Sequence, residues 1–221
     1  MTQPRFQLYF WQTANCQKIT IMLEELGYAY EITPINITVG EQLDPAFIQN
    51  VTVNNRVPVL VDREGPDGAP LTLFESGAIL KYLARLSGKL AGETQRERAL
   101  VDQWLMWQMA GLGPMSGQSF HFVHSAPAMG HSAQSLAYGQ TRYRDEVERL
   151  YRVMERHLGD GRAYMAGEAF SIADIAIWPW MIDVVKPTDM SPFPHVEAWH
   201  RRVGARDSVK AGMAVRVPEA V

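Results

Sequence analysis

The sequence is short of several features that announce a function directly. It carries one cysteine, Cys16, in 221 residues, which excludes an intrachain disulfide, a multi-cysteine zinc site and a dithiol redox cycle run by this chain alone. That usage fits a reducing compartment, and a cytoplasmic protein is expected. There is no excess charge of one sign: 21 basic residues stand against 24 acidic ones, a net charge of −3. No basic field therefore invites nucleic acid or an anionic membrane surface. Long apolar runs are missing too. The longest, Ile175 to Ile182, is eight residues and contains Pro179, far below the ~20 that span a membrane. Residues 1–5 lead into a strand pattern without signal-peptide character. Gly111, Gly113 and Gly117 lack phosphate-loop spacing. His121, His124 and His131 are interrupted by Pro127 and Gly130 and have no acidic ligand near them, so they read as a loop or pocket wall and no metal is expected.

What is present is a foldable composition, 47% apolar and 10% aromatic, in a chain about one and a half times the ~150-residue domain size. Phe6 to Trp11 reads as a buried strand. Gln12 to Asn15 offers turn and cap chemistry, and Ile19, Met22, Leu23 and Leu26 mark a helix closed by Gly27. Tyr30 to Ile37 is β-rich, Asp44-Pro45 opens a short helix, and Val57 to Val61 is a further strand; a parallel βαβ crossover is the economical arrangement. Arg63 to Pro70 turns into the strand Leu71 to Phe74. A helix with Ile79, Leu80, Leu83 and Leu86 on one face follows. Beyond Gly88 the strand signals stop. Thr94 and Glu97 make a capping box for a long helix to about Met109, Tyr143 to Leu158 is a second amphipathic helix, and Ser171 with Asp174 opens a third. Met106, Met109 and Met115 fit core or interdomain packing. The expected organisation is an α/β domain, βαβα–ββα, over 1–88, a linker over 89–94, an all-α domain over 95–208 and a tail over 209–221.

Three places in the α/β domain could carry chemistry. Val57-Pro58 enters a strand where a proline without an N–H is tolerated and where a cis bond is commonest; a trans edge-strand proline is the competing assignment. A cis bond there would present the Val57 backbone to an extended peptide. Glu75-Ser76 stands at the mouth of a helix, whose free N–H groups and dipole suit a carboxylate at Ser76 while Glu75 takes an ammonium, an α-amino-acid head group in all. Simple capping by Ser76 is the alternative. Thr13-Ala14-Asn15-Cys16 lies at the first strand-to-helix turn, where hydroxyl and amide donors either stabilise a thiolate or merely cap.

Taken together, these stretches resemble a glutathione transferase over essentially the whole chain, most closely the bacterial nu class and its fungal prion-forming nitrogen-regulator relatives. The resemblance is carried by Thr13-Ala14-Asn15, Leu23 to Gly27, Gly40-Glu41-Gln42, Asn54 to Pro58, Phe74 to Ile79, and Trp107-Gln108-Met109 running to Gly117-Gln118. It implies a two-domain fold with a thioredoxin-like N-domain that binds glutathione: Glu75 and Ser76 on the γ-glutamyl group, Val57 beside a cis Pro58 on the cysteinyl backbone, Gln42 and Arg56 on the glycyl end or nearby polar groups, and Arg142 reaching the ligand from the helical domain. Thr13 and Asn15 would face the sulfur as catalytic groups, with Tyr9 as a rival. The activity implied is reduction of small disulfides by bound glutathione thiolate in a homodimer, with no metal. Conjugation of electrophiles, reduction of organic hydroperoxides, or non-catalytic binding are the alternatives. Cys16 replaces the usual glycine and falls where a C-x-x-C motif has its second cysteine. It is either inert in the first helical turn or a redox participant that forms a mixed disulfide with glutathione. Val53-Asn54-Asn55 stands where relatives have Pro-Asn-Asn.

Overall fold

The computed structural model describes residues 3–181, 183, 186 and 189–217. The chain divides into two units, residues 1–89 with 206–221, and residues 90–205. The first unit is built from β1 (Phe6–Phe10), α1 (Ala14–Leu26), β2 (Tyr30–Pro34), α2 (Pro45–Asn50), β3 (Val59–Asp62), β4 (Leu71–Phe74) and α3 (Ser76–Ser87). Its sheet has the order β2-β1-β3-β4. The crossover through α1 makes β1 and β2 parallel, whereas β3 is antiparallel to both β1 and β4. In β1 the alternation places Phe6, Leu8 and Phe10 in the core, the period-2 consequence of a pleated strand. Thr13 caps α1, and Gly27 closes it in the left-handed conformation with φ 67°, which costs a residue without Cβ little.

The second unit is helical: α4 (Gln95–Trp107), α5 (Gly113–Phe120), α6 (Ala126–Ala128), α7 (Ala133–Leu158), α8 (Ile172–Ile177) and α9 (Pro194–Gly204). Two π-helical turns, Gln108–Leu112 and His121–Ser125, join α4 to α5 and α5 to α6. Each widens the helix locally, so 3.6-residue periodicity fails across this stretch. The capping boxes at Thr94 and Ser171 are both formed. Asp174 does more than cap. Its carboxylate is fully buried and accepts hydrogen bonds from Met165 N (2.8 Å), Ser171 N (3.0 Å), Ser171 Oγ (3.1 Å) and Trp199 Nε1 (2.9 Å). One group thereby ties α8 to α9 and to the turn at Met165.

The stretch from 209 expected as a tail is instead largely helix α10 (Asp207–Ala214), and it belongs to the first unit; residues 218–221 lie outside those described. The Arg206 guanidinium and the Ser208 hydroxyl both bond the Glu25 carboxylate of α1, and Thr20 Oγ1 donates to Gly212 O at 2.8 Å. A Cβ at Gly212 would lie 2.6 Å from Ile21 Cα, so glycine is what lets the two backbones meet. Eight residues carry too little apolar pattern to be recognised alone; the helix is specified by its partner. Among the described residues no helix is long and apolar enough to cross a membrane.

Replacing Asp174 by Ala orphans four buried donors, so the Asp174→Ala variant should lose about 3 kcal/mol of stability or more, read from urea unfolding. A loss below about 1 kcal/mol would mean that water substitutes for the carboxylate.

Candidate functional site

The site grows from the N-terminus of α3. Its cap position, Glu75, adopts φ 68° and ψ 108°, and no side chain caps the helix. A non-glycine residue in that region costs about 1–3 kcal/mol and is held there by its surroundings, commonly at ligand sites. The consequence is an open helix mouth with positive dipole and unused N–H groups, beside an exposed carboxylate. Ser76 is the first helical residue rather than the cap, and it is buried. Its hydroxyl donates to Asn15 Oδ1 at 3.5 Å and accepts from Lys18 Nζ at 3.3 Å. Asn15, Lys18 and Ser76 are thus brought together with Glu75.

Thr13 sits at the end of the turn after β1. Its Oγ1 accepts from Cys16 N at 3.2 Å, so capping uses a lone pair and leaves the hydroxyl proton as the group it can offer a sulfur. Capping and thiolate stabilisation are therefore compatible. Cys16 is completely buried; burial pushes its thiol up to about 11, against the hydrogen bonds from the Thr13 side chain and the Trp11 backbone that lower it. It is a protonated thiol at neutral pH. Tyr9 is half-buried on the face of β1 opposite Leu8 and Phe10, and lies edge-on to Phe47, ring centroids 5.8 Å apart.

Val57-Pro58 is cis, with Val57 half-buried and Pro58 buried at the entry to β3. Gln42 lies in the short 3-10 turn Glu41–Leu43, and its buried Oε1 has no hydrogen-bond partner among the described residues, an acceptor available to a ligand N–H. Arg56 is exposed. Arg142 is exposed on α7 of the second unit and borders a surface cavity of about 650 Å³ with Tyr138, Asp145 and Arg149. His121 and His124 face aromatic rings in a π-helical turn, and among the described residues no group of three or more metal-ligating side chains is assembled.

The residue that sequence reasoning missed is Lys18, fully buried on α1. Burial brings its ammonium down to about 7, with the Glu75 carboxylate pulling it back up. One cue was available: Lys18 shares a helical face with Ile21 and Met22, which favours burial for any side chain there.

Lys18 dictates a pH dependence. Unfolded, it titrates near ~10.4; folded, near about 7. Between those values the unfolded chain binds the extra proton, so stability rises with pH. Cys16 opposes this above its ordinary value of 9.0, because the folded thiol keeps its proton to about 11. Melting temperature of the ligand-free protein should therefore climb from pH 7 to ~9 and lose that slope in Lys18→Met. Cys16 should resist a thiol-modifying disulfide reagent in the folded protein and react on unfolding; rapid modification of the native chain would reinstate a redox role.

Residues 4–85 match the family model for the glutathione S-transferase N-terminal domain, and residues 137–202 that for its C-terminal domain. The chain is 43% identical over 201 residues to the disulfide-bond oxidoreductase YfcG of Escherichia coli, covering 90% of each. It is 30% identical to the transcriptional regulator URE2 of Saccharomyces cerevisiae, covering 88% of this chain and 63% of that one. A crystal structure of a glutathione transferase from Pseudomonas putida, with one glutathione disulfide bound per subunit, matches with TM-score 0.86 and 40% identity over 96% of this chain and 92% of that one. One from Pseudomonas fluorescens with two glutathiones bound matches with TM-score 0.86 and 38% identity, over 95% and 92% respectively. With both domain models in order and identity at this level along nearly the full length, the chain belongs to the glutathione S-transferase family.

Proposed function

We propose that the protein is a glutathione-dependent reductase of small disulfides, acting in the cytoplasm as a homodimer. The observation that carries the reading is the uncapped N-terminus of α3, flanked by the Glu75 carboxylate and the buried Ser76 hydroxyl. An α-ammonium pairs with Glu75, and an α-carboxylate takes the Ser76 hydroxyl and the helix N–H groups. The Val57 backbone, set by the cis bond that follows it, pairs with the cysteinyl unit as an added strand does. Gln42 and Arg56 serve the glycyl end. The bound thiol meets Thr13 and Asn15, whose donors favour its ionised form.

The chemistry needs no protein thiol. Bound glutathione thiolate attacks one sulfur of a disulfide, a mixed disulfide forms, and the other half leaves as a thiolate that takes up a proton. A second glutathione thiolate attacks the mixed disulfide, giving glutathione disulfide and the second thiol. Two glutathiones lose one proton and one electron each, and the substrate gains both pairs. The buried, protonated Cys16 fits a bystander in this cycle. The disulfide-bond oxidoreductase relative and the structures with glutathione disulfide or two glutathiones bound are consistent with such a sequence.

Turnover of hydroxyethyl disulfide, chlorodinitrobenzene and cumene hydroperoxide should be compared in parallel with glutathione. Disulfide reduction is expected to dominate. Glu75→Gln should raise KM for glutathione about tenfold, the worth of one charged hydrogen bond, and Thr13→Ala should lower kcat. Faster conjugation than disulfide reduction, or an activity loss confined to Tyr9→Phe, would overturn the assignment; glutathione binding without turnover of any of the three would make this a binding protein.

A further inference from the structure

In the second unit, the connection between α7 and α8 is held at one atom that faces two partners with opposite demands. His157 stands in the last turn of α7, half-buried, with its ring tilted against that of Trp104 on α4, centroids 4.2 Å apart. Its Nε2 lies 2.8 Å from Met165 O and 2.8 Å from Arg162 Nη1. A carbonyl only accepts and a guanidinium only donates. Nε2 without a proton therefore serves Arg162, and Nε2 with a proton serves Met165. Both partners are anchored beside it. The Arg162 guanidinium also donates from Nε to Asp160 Oδ1 at 2.8 Å and Oδ2 at 3.1 Å, and Met165 N donates to the buried Asp174 at 2.8 Å.

Charge decides between them. A neutral imidazole gains more from the guanidinium than from a carbonyl, because charge-assisted hydrogen bonds are about twice as strong as neutral ones. Nδ1 then carries the ring's one proton. A second proton enters at Nε2, where it is repelled by Arg162 and attracted by Met165 O. We propose that His157 and Arg162 form a proton-operated latch on the segment joining α7 to α8: the neutral ring accepts from Arg162 and ties the start of the segment to α7, whereas the protonated ring lets Arg162 go and donates to Met165 O instead.

The surrounding charges set the range in which the latch moves. Burial lowers the His157 pKa from its ordinary 6.5; the Met165 carbonyl raises it, the Arg162 cation lowers it and the Asp160 carboxylate raises it, with a lowered value as the balance. The other charged or titratable groups on the elements around the ring are Arg156 on α7, Glu168 in the segment, Asp102 on α4, Asp174 on α8, and His195 and Arg202 on α9, the last donating to Ala163 O at 2.7 Å. Among the described residues, Arg162 and Asp160 are the ones whose fields move His157. The latch is closed at neutral pH. As pH falls the unfolded chain takes the proton first, so the stability the closed latch contributes is present above about 6.5 and is lost below it.

The test follows the ring and the segment together in the full chain. Proton–nitrogen correlation spectra of the histidine rings should show His157 with its proton on Nδ1 near neutral pH and a titration midpoint below 6.5. Arg162→Met should raise that midpoint and move the neutral ring's proton to Nε2. Amide hydrogen exchange between about pH 7.5 and about pH 5, corrected for the intrinsic rate, should show Arg162 N, which donates to Asp160 Oδ1 at 3.1 Å, losing about tenfold of its protection on acidification, the worth of one charged hydrogen bond. Met165 N, held by Asp174, should keep its protection. In His157→Phe, which retains a ring against Trp104 and binds no proton, the loss at Arg162 should vanish. A neutral wild-type ring with its proton on Nε2, a midpoint that Arg162→Met leaves unchanged, equal loss of protection at Arg162 and Met165, or an undiminished loss in His157→Phe overturns the latch. If His157→Phe does not fold, the wild-type tautomer and the Arg162→Met midpoint decide.

Discussion

The first unit depends on one constraint: α1 is covered on more than one side. Cys16 and every residue from Lys18 to Leu23 are buried, a pattern that a helix with a single core-facing stripe cannot have. The helix is packed against α3 and, through Thr20, Ile21 and Glu25, against α10. Because it has so little freedom to shift, what it carries at its start is held firmly in place: the Thr13 cap, the Asn15 amide and the Lys18 ammonium. A site made of long side chains on a mobile loop would lose the geometry that orients a ligand.

The same packing acts in opposite directions on the two titratable groups buried on α1. Burial that brings Lys18 down toward neutrality also pushes Cys16 up, since each loses its charged form when water is excluded. A cysteine in the first turn of a helix is elsewhere a favourable place for a thiolate; here desolvation outweighs the hydrogen bonds from Thr13 and the Trp11 backbone. In the function we propose, the thiol that reacts is borrowed, and polar groups at the mouth of α3 are what an amino-acid thiol would need at its other end.

Much of this was legible beforehand, for local reasons. The strand alternation at Phe6, Leu8 and Phe10, the left-handed close at Gly27, and the boxes at Thr94 and Ser171 are short-range physics, and residues within a few positions of each other specify them. The residues we propose to face glutathione were readable as types in order, Thr13, Asn15, Val57, Glu75 and Ser76. The helical stretch from 108 to 125 was not, because its π-turns break the periodicity on which such reading depends. Nor was the segment after Arg206: its eight helical residues have meaning only against Ile21 and Glu25, about 180 positions earlier in the chain.

The sequence by itself determined the elements, their order, the family and the chemical types at the site, since these rest on local preference and on motif. Tertiary structure alone decided which polar groups are buried. Lys18 and Cys16 are two residues apart on one helix and neither is marked by its neighbours as ionised or neutral; the packing of α3 and α10 against α1 sets the solvent exclusion that fixes both, and Ser76 is the first helical residue rather than the cap because Glu75 takes that position with positive φ.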